Sequence, residues 1–209
     1  MLIRKHDDGT DDDDRWRAFV VRQGFGHFIA GGGPARLVPV VVPTQFLLDG
    51  DRVVFHLAGP NPVFEALAEN PNVVLSVAGD WAYIPGGWKA IGDEDPRLGI
   101  PTTYYGAVQL VGRATVIDDP DGIASILRRQ LADLEPTGDL VDPSEHARRF
   151  AAIRGIEVEV SEVRAKFKYG GNIDEAHRDR IADELAARNR PGDAAALHHL
   201  GVLGASGDT

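Results

Sequence analysis

Three cations recur at every second position in one segment: Arg164, Lys166 and Lys168, within Arg-Ala-Lys-Phe-Lys-Tyr-Gly-Gly-Asn. In an extended strand this period puts all three on one face. In a chain of net charge −10, a one-sided cation row points to an anion site. The competing reading is surface ion pairing with Glu157, Glu159 or Glu162. A second constellation is the stretch from Tyr83 to Tyr105, which mixes Pro85, Gly86, Gly87, Gly92, Pro96, Gly99 and Pro101 with Trp88, Lys89, Tyr104 and Tyr105. Long irregular segments in compact domains are commonly binding loops or lids, and aromatics flanked by glycines suit stacking on a planar ring. The alternative is a surface loop that packs its own aromatics. The third is Phe55-His56-Leu57-Ala58-Gly59-Pro60-Asn61-Pro62. It reads as a strand running straight into a helix, with Asn61 as cap and Pro62 in the first turn. Backbone N–H groups and a histidine at one spot suit a phosphate, against a plain strand-to-helix connection with a half-buried histidine. Arg36 is the next cation in line.

Composition narrows the chemistry. The 209 residues contain no cysteine, which excludes disulfides, thiolate nucleophiles and cysteine-held zinc or iron–sulfur groups. No apolar run approaches the ~18 residues of a membrane span. The charged N-terminus, with Asp11 to Asp14, is unlike a secretory signal, so a cytoplasmic location is expected. Four consecutive carboxylates read as a solvated helix start, and adjacent His198 and His199 do not share a helix face, so no metal site is predicted. The acidic balance opposes binding to a polyanion. Arg128-Arg129 and Arg148-Arg149 read as solvated helix faces, and specific DNA binding by the isolated protein is not expected.

The elements that must position these residues are mostly strands. Phe25 to Ala30, Arg36 to Leu48, Arg52 to Ala58, Val73 to Val77, Ala107 to Ile117 and a last strand through Ile156, Val158 and Val160 carry apolar runs or alternation. Gly31 to Pro34 is a turn and Asp49-Gly50 a hairpin turn. Short connections argue for an antiparallel barrel. Helices are predicted after Asp14, Asn61, Pro120, Ser144 and Asp174. The third of these carries the stripe Ile123, Ile126, Leu127, Leu131 and Leu134, and the last turns Ile181 and Leu185 inward. Beyond Pro191-Gly192 a short helix and a frayed tail are expected. The fold class is α+β, mainly β with flanking helices. Residues 1–172 form a split β-barrel domain with inserted helices, and 173–209 a C-terminal helical extension.

These motifs together resemble the PaiB-type "FMN-binding negative transcriptional regulator" group of the FMN-binding split-barrel superfamily, which also holds the pyridoxamine phosphate oxidases. The resemblance runs from about Val38 to Leu200 and rests on His56, Ala58, Asn61 and Pro62; on Tyr83-Ile84-Pro85-Gly86-Gly87-Trp88-Lys89; on Ile100-Pro101-Thr102-Thr103-Tyr104-Tyr105; and on Lys166-Phe167-Lys168-Tyr169-Gly170-Gly171-Asn172. Gly59 stands where the group has an arginine, and Lys89 is an extra cation. The resemblance implies a homodimer with FMN in a groove at its interface. It also implies a site lined by His56, Asn61, Trp88, Lys89, Thr102, Thr103, Tyr105, Lys166 and Lys168. It implies a flavoprotein, with flavin-dependent oxidation or reduction of a small molecule as its activity. The alternatives are a non-enzymatic, ligand-sensing transcriptional regulator, or a diverged barrel that binds another small molecule, a deazaflavin or haem. No catalytic acid or base stands out.

Overall fold

The computed structural model describes residues 1–3 and 12–205. Seven strands form one antiparallel sheet: β1 (Phe25–Ala30), β2 (Val40–Gln45), β3 (Leu47–Asp49), β4 (Arg52–Ala58), β5 (Asn72–Ile84), β6 (Thr102–Ile117) and β7 (Ile153–Lys168), in the order β2-β1-β5-β6-β7-β4-β3. Five α-helices flank it: α1 (Asp13–Gln23), α2 (Val63–Glu69), α3 (Pro120–Leu134), α4 (Glu175–Arg188) and α5 (Asp193–Ala205). Among the described residues no helix is long and apolar enough to cross a membrane. The expected frayed tail, 206–209, and Asp11 of the aspartate run lie outside the described residues.

Local chemistry explains most of these boundaries. Asp119 and Asp174 cap α3 and α4, accepting from the N–H groups of Gly122 at 2.7 Å and His177 at 3.0 Å, caps worth about 1 kcal/mol each. Asn189 ends α4 in the left-handed conformation. Across the Asp49-Gly50 turn, Asp49 pairs with Arg52 and Leu47 with Val54. The run expected as one strand from Arg36 to Leu48 is two, because Phe46 turns inward between β2 and β3 and its N–H bonds Gly24 at 3.2 Å. The helix expected after Ser144 is a 3-10 segment, Pro143–Ala152, kinked at His146.

β5 is the main departure from the sequence reading. It was expected to end near Val77 and runs on to Ile84. Val73, Leu75 and Val77 are buried, but beyond Asp80 the buried residues are Ala82 and Ile84. Asp80 adopts φ 54°, and the extra left-handed residue exchanges the two faces of the strand. The alternation changes parity there, which hides the continuation from a period-2 reading. The irregular segment is therefore 85–101, with 3-10 turns at Gly86–Lys89 and Pro96–Leu98. Gly86 and Gly99 let the two halves of this loop meet: a Cβ on either would run into the carbonyl oxygen of the other.

The chain divides into two compact units. One holds Arg17–Val77 and Gln109–Arg164. Its core includes Phe28, Phe55, Leu75, Leu110 and Ile156, with Phe28 and Phe55 edge to face at 5.0 Å. The other holds residues 1–3 and 12–16, Ala78–Val108 and residues 165–205. Its core is Ile84, Tyr104, Phe167, Tyr169, Ile181 and Leu185.

Candidate functional site

The Asn61 region lies in the first of these units, on the link from β4 to α2. His56 is half-buried, and its Nδ1 is 2.6 Å from Oε1 of Gln130, a buried residue of α3. A carbonyl oxygen there makes His56 Nδ1 the donor. Asn61 Oδ1 accepts from Val63 N–H at 3.0 Å, and its carbonyl accepts from Phe64 N–H at 3.2 Å. Asn61 N–H bonds Ala58 and Gly59 N–H bonds Ala152. Pro60 and Pro62 have no N–H to give. Every backbone donor from Gly59 to Phe64 is thus spent within the chain, and α2 has only seven residues. The expected phosphate contact by free N–H groups at Asn61 finds no free donor. Arg36, the reserve cation, is paired with Glu69 at 2.8 Å.

The second unit presents the opposite chemistry. Lys168 ends β7, and its ammonium donates to Thr102 Oγ1, at the start of β6, over 2.6 Å. Lys89 closes the first 3-10 turn. Partial burial pushes its ammonium below the usual lysine range, and repulsion from Lys168 adds to the shift. Neither lysine has a carboxylate partner among the described residues. Two ammonium groups without a carboxylate partner among the described residues, one of them bonded to the Thr102 hydroxyl of β6, offer the charge and the donors that an anion takes up.

The other predicted residues of this unit take different places. Trp88 is half-buried beside Lys89, and the Arg188 guanidinium sits 4.5 Å from its ring centre. Arg188 is fixed by Asp193, at 2.5 and 2.9 Å, and by the Tyr83 carbonyl at 2.7 Å. Thr103 is exposed and Tyr105 half-buried. Lys166 is buried; its ammonium donates to the Leu2 carbonyl at 2.9 Å and lies 5.8 Å from the Tyr105 ring centre. Arg164 pairs with Glu162 at 2.7 Å, so the cation row of the sequence does not act as one group. A cavity of about 290 Å³ opens along Lys89, Ala90, Glu94, Asp95, Leu98 and Gly99. Trp81 and Tyr83 stand largely exposed on β5, on the face that the Asp80 bulge turned outward.

Asp80, which shapes this unit, gave no local signal in the sequence. The Asp80 carboxylate, buried by the bulge, meets His199 Nε2 at 2.8 Å, and His199 stacks on Tyr169 at 4.3 Å. Tyr169 donates to the Asp80 carbonyl at 3.0 Å. Tyr104 lies edge-on to Tyr169; its buried hydroxyl has no partner among the described residues, and burial pushes its pKa up to about 12. The bonds from Asp80 to Tyr169 and His199 span 89 and 119 positions, which no short motif records.

The donor set fits FMN at its charged end: two unpaired lysines and a hydroxyl for the phosphate, with aromatic surface from Trp88, Tyr105, Trp81 and Tyr83 in the same unit.

Comparison with known proteins speaks to the family and the fold. The flavocytochrome Anf3 from Azotobacter vinelandii is 23% identical, with 82% of this chain and 74% of that chain covered and a TM-score of 0.61. The FAD and heme binding protein from Mycobacterium smegmatis is 18% identical, with 81% and 78% covered and a TM-score of 0.62. At such identities the likeness shows the fold alone, the antiparallel split β-barrel expected from the sequence. No curated protein matches the chain. The family described as "Putative FMN-binding domain" matches residues 1–162. The chain belongs to that family, and FMN is the cofactor that this membership supports.

Proposed function

We propose that this protein is a PaiB-like, homodimeric FMN flavoprotein of the cytoplasm that oxidises or reduces a small molecule. The observation that carries this reading is the Lys89–Lys168 pair beside Thr102. A flavin phosphate brings the negative charge that this pair lacks, and charge-assisted contacts are worth about 1.5–3 kcal/mol each. Thr102 holds the Lys168 ammonium in place through the 2.6 Å bond. Arg188 lies over the Trp88 ring and holds it in place. Tyr105 adds aromatic surface, and Thr103 an exposed hydroxyl. The lysine pair takes over from the arginine that Gly59 replaces. When bound, FMN supplies the electron transfer; the chain binds it, orients it and limits water access. DNA recognition is no part of this function, because the net charge of −10 opposes a polyanion.

The test compares FMN with riboflavin on the FMN-free protein. FMN should bind at least 10-fold more tightly, and Lys168→Ala should remove that preference while leaving riboflavin binding unchanged. Equal affinity for the two flavins in the unaltered protein would overturn the assignment of the lysine pair. A cofactor other than FMN released on denaturing the purified protein would overturn the flavoprotein reading itself.

A further inference from the structure

The apolar stripe of α3 outlasts the core it packs on. Ile123 and Ile126 are buried, Leu127 and Leu131 half-buried, and Leu134 is 42% exposed. The chain then loops through 135–142 into the kinked 3-10 segment. This loop is tied back to the helix. The Arg128 guanidinium grips Asp142 with two bonds, at 2.6 and 2.9 Å, and Asp142 also accepts from Ser144 N–H and Oγ. Between the loop and α3 lies a cavity of about 620 Å³. Its walls are Leu127, Leu131, Leu140, Val141, Phe150 and Ile153. Leu140 and Val141 are 52% and 59% exposed, so they hold apolar surface in water that an occupant would cover.

Size and charge say what that occupant is. The volume falls within the roughly 300–1,000 Å³ of small-molecule sites. Exposed Arg149 lines the cavity and has no carboxylate partner among the described residues, in a chain with 32 Asp and Glu. Exposed His146 adds a second polar group, and Asp139 is the one acidic residue of the lining. An apolar chamber with one unpaired cation suits an apolar body that carries one negative charge. We propose that this cavity is a second ligand site, for a medium-chain fatty acid. Its chain lies on Leu127, Leu131, Phe150 and Ile153, and its carboxylate meets Arg149. All of these residues belong to the unit that lacks the lysine pair, so the proposal does not depend on the flavin reading.

The test is calorimetric titration of the full chain with octanoate, decanoate and dodecanoate below their micelle concentrations, and with decanol. Affinity should rise about fourfold per methylene, and decanoate should bind at least 10-fold more tightly than decanol. Arg149→Gln should abolish the preference for decanoate over decanol and keep the chain-length series. Asp139→Asn should tighten decanoate. Leu131→Glu, at a half-buried position that tolerates charge, should abolish binding with the far-ultraviolet dichroism intact. No binding of decanoate by the unaltered chain would overturn the proposal, as would unchanged decanoate affinity in Arg149→Gln. A concentration-dependent rise in mass that Leu131→Glu removes would assign the cavity to a second copy of the chain and equally overturn it.

Discussion

Two parts of this molecule carried an anion signal, and they differ in what their donors are doing. At Asn61 the polar groups are numerous and already occupied: the side chain and carbonyl hold Val63 and Phe64, and the remaining N–H groups bond Ala58 and Ala152. At Lys89 and Lys168 there are few groups, but their charge is unanswered. An anion is bound by donors left over after folding. A turn rich in Asn, Pro and Gly uses its donors to make itself, whereas two ammonium groups brought together from a 3-10 turn and the end of a distant strand cannot satisfy each other.

The largest expected effect tests this difference directly. Lys168→Ala or Lys89→Ala should each weaken FMN by about 10- to 150-fold, read by fluorescence titration. A loss below threefold in both would place the phosphate elsewhere. Asn61→Ala should cost about 0.5–1.5 kcal/mol of stability in chemical denaturation, because it removes the acceptor of Val63 N–H. It should shift FMN affinity less than threefold; a loss as large as that of Lys168→Ala would erase the contrast. Thr102→Val removes the neutral partner of Lys168 and should cost about 0.5–1.5 kcal/mol of binding, up to roughly 10-fold in Kd.

The smallest effects come from two histidines of the lysine-bearing unit, whose signs oppose each other. His177 is pulled above its ordinary pKa by its bond to Asp174 and then by Glu94, which lines the cavity beside Lys89. Its contribution is full below about pH 6.5 and is lost as pH rises through the raised folded value. The difference in Tm between the unaltered protein and His177→Gln should therefore be largest near pH 5.5 and vanish by pH 8.5. His199 is held below its ordinary pKa by burial, against the pull of Asp80. Its contribution is present above about pH 6.5 and is lost as pH falls through the lowered folded value. His199→Gln should make Tm less sensitive to acid; an unchanged acid profile would show that this histidine does not titrate on unfolding.

The legible parts of the fold were those written in short periods. The alternation Val108, Leu110, Gly112 and Ala114 lies buried on one face of β6 as read, and the Asp119 and Asp174 caps start their helices. The illegible parts were those in which one residue changes the count. Asp80 adds a residue to β5 and exchanges its faces, which lengthened the strand by seven residues and shortened the irregular loop. The same change brought Trp81 and Tyr83 outward. In the candidate site, Lys89, Lys168 and Thr102 were all named by motif, but so was Lys166, whose ammonium is committed to Leu2. Spacing placed Arg164, Lys166 and Lys168 together; packing separated them, because strand alternation fixes a side and not a partner.

The sequence by itself determined the antiparallel sheet, the positions of the capped helices, the absence of cysteine chemistry and the family. Each of these depends on residue type and near-neighbour order, which act through local sterics and hydrogen bonding. Only the tertiary structure decided which charges remained unpaired. That depends on which side chains from positions tens of residues apart arrive at one place, and on which carboxylates arrive with them. Asp49 reached Arg129 and Glu69 reached Arg36, while none among the described residues reached Lys89, Lys168 or Arg149. A net charge of −10 is a sum over the whole chain, and the Coulomb energy of a binding site is set within a few ångströms.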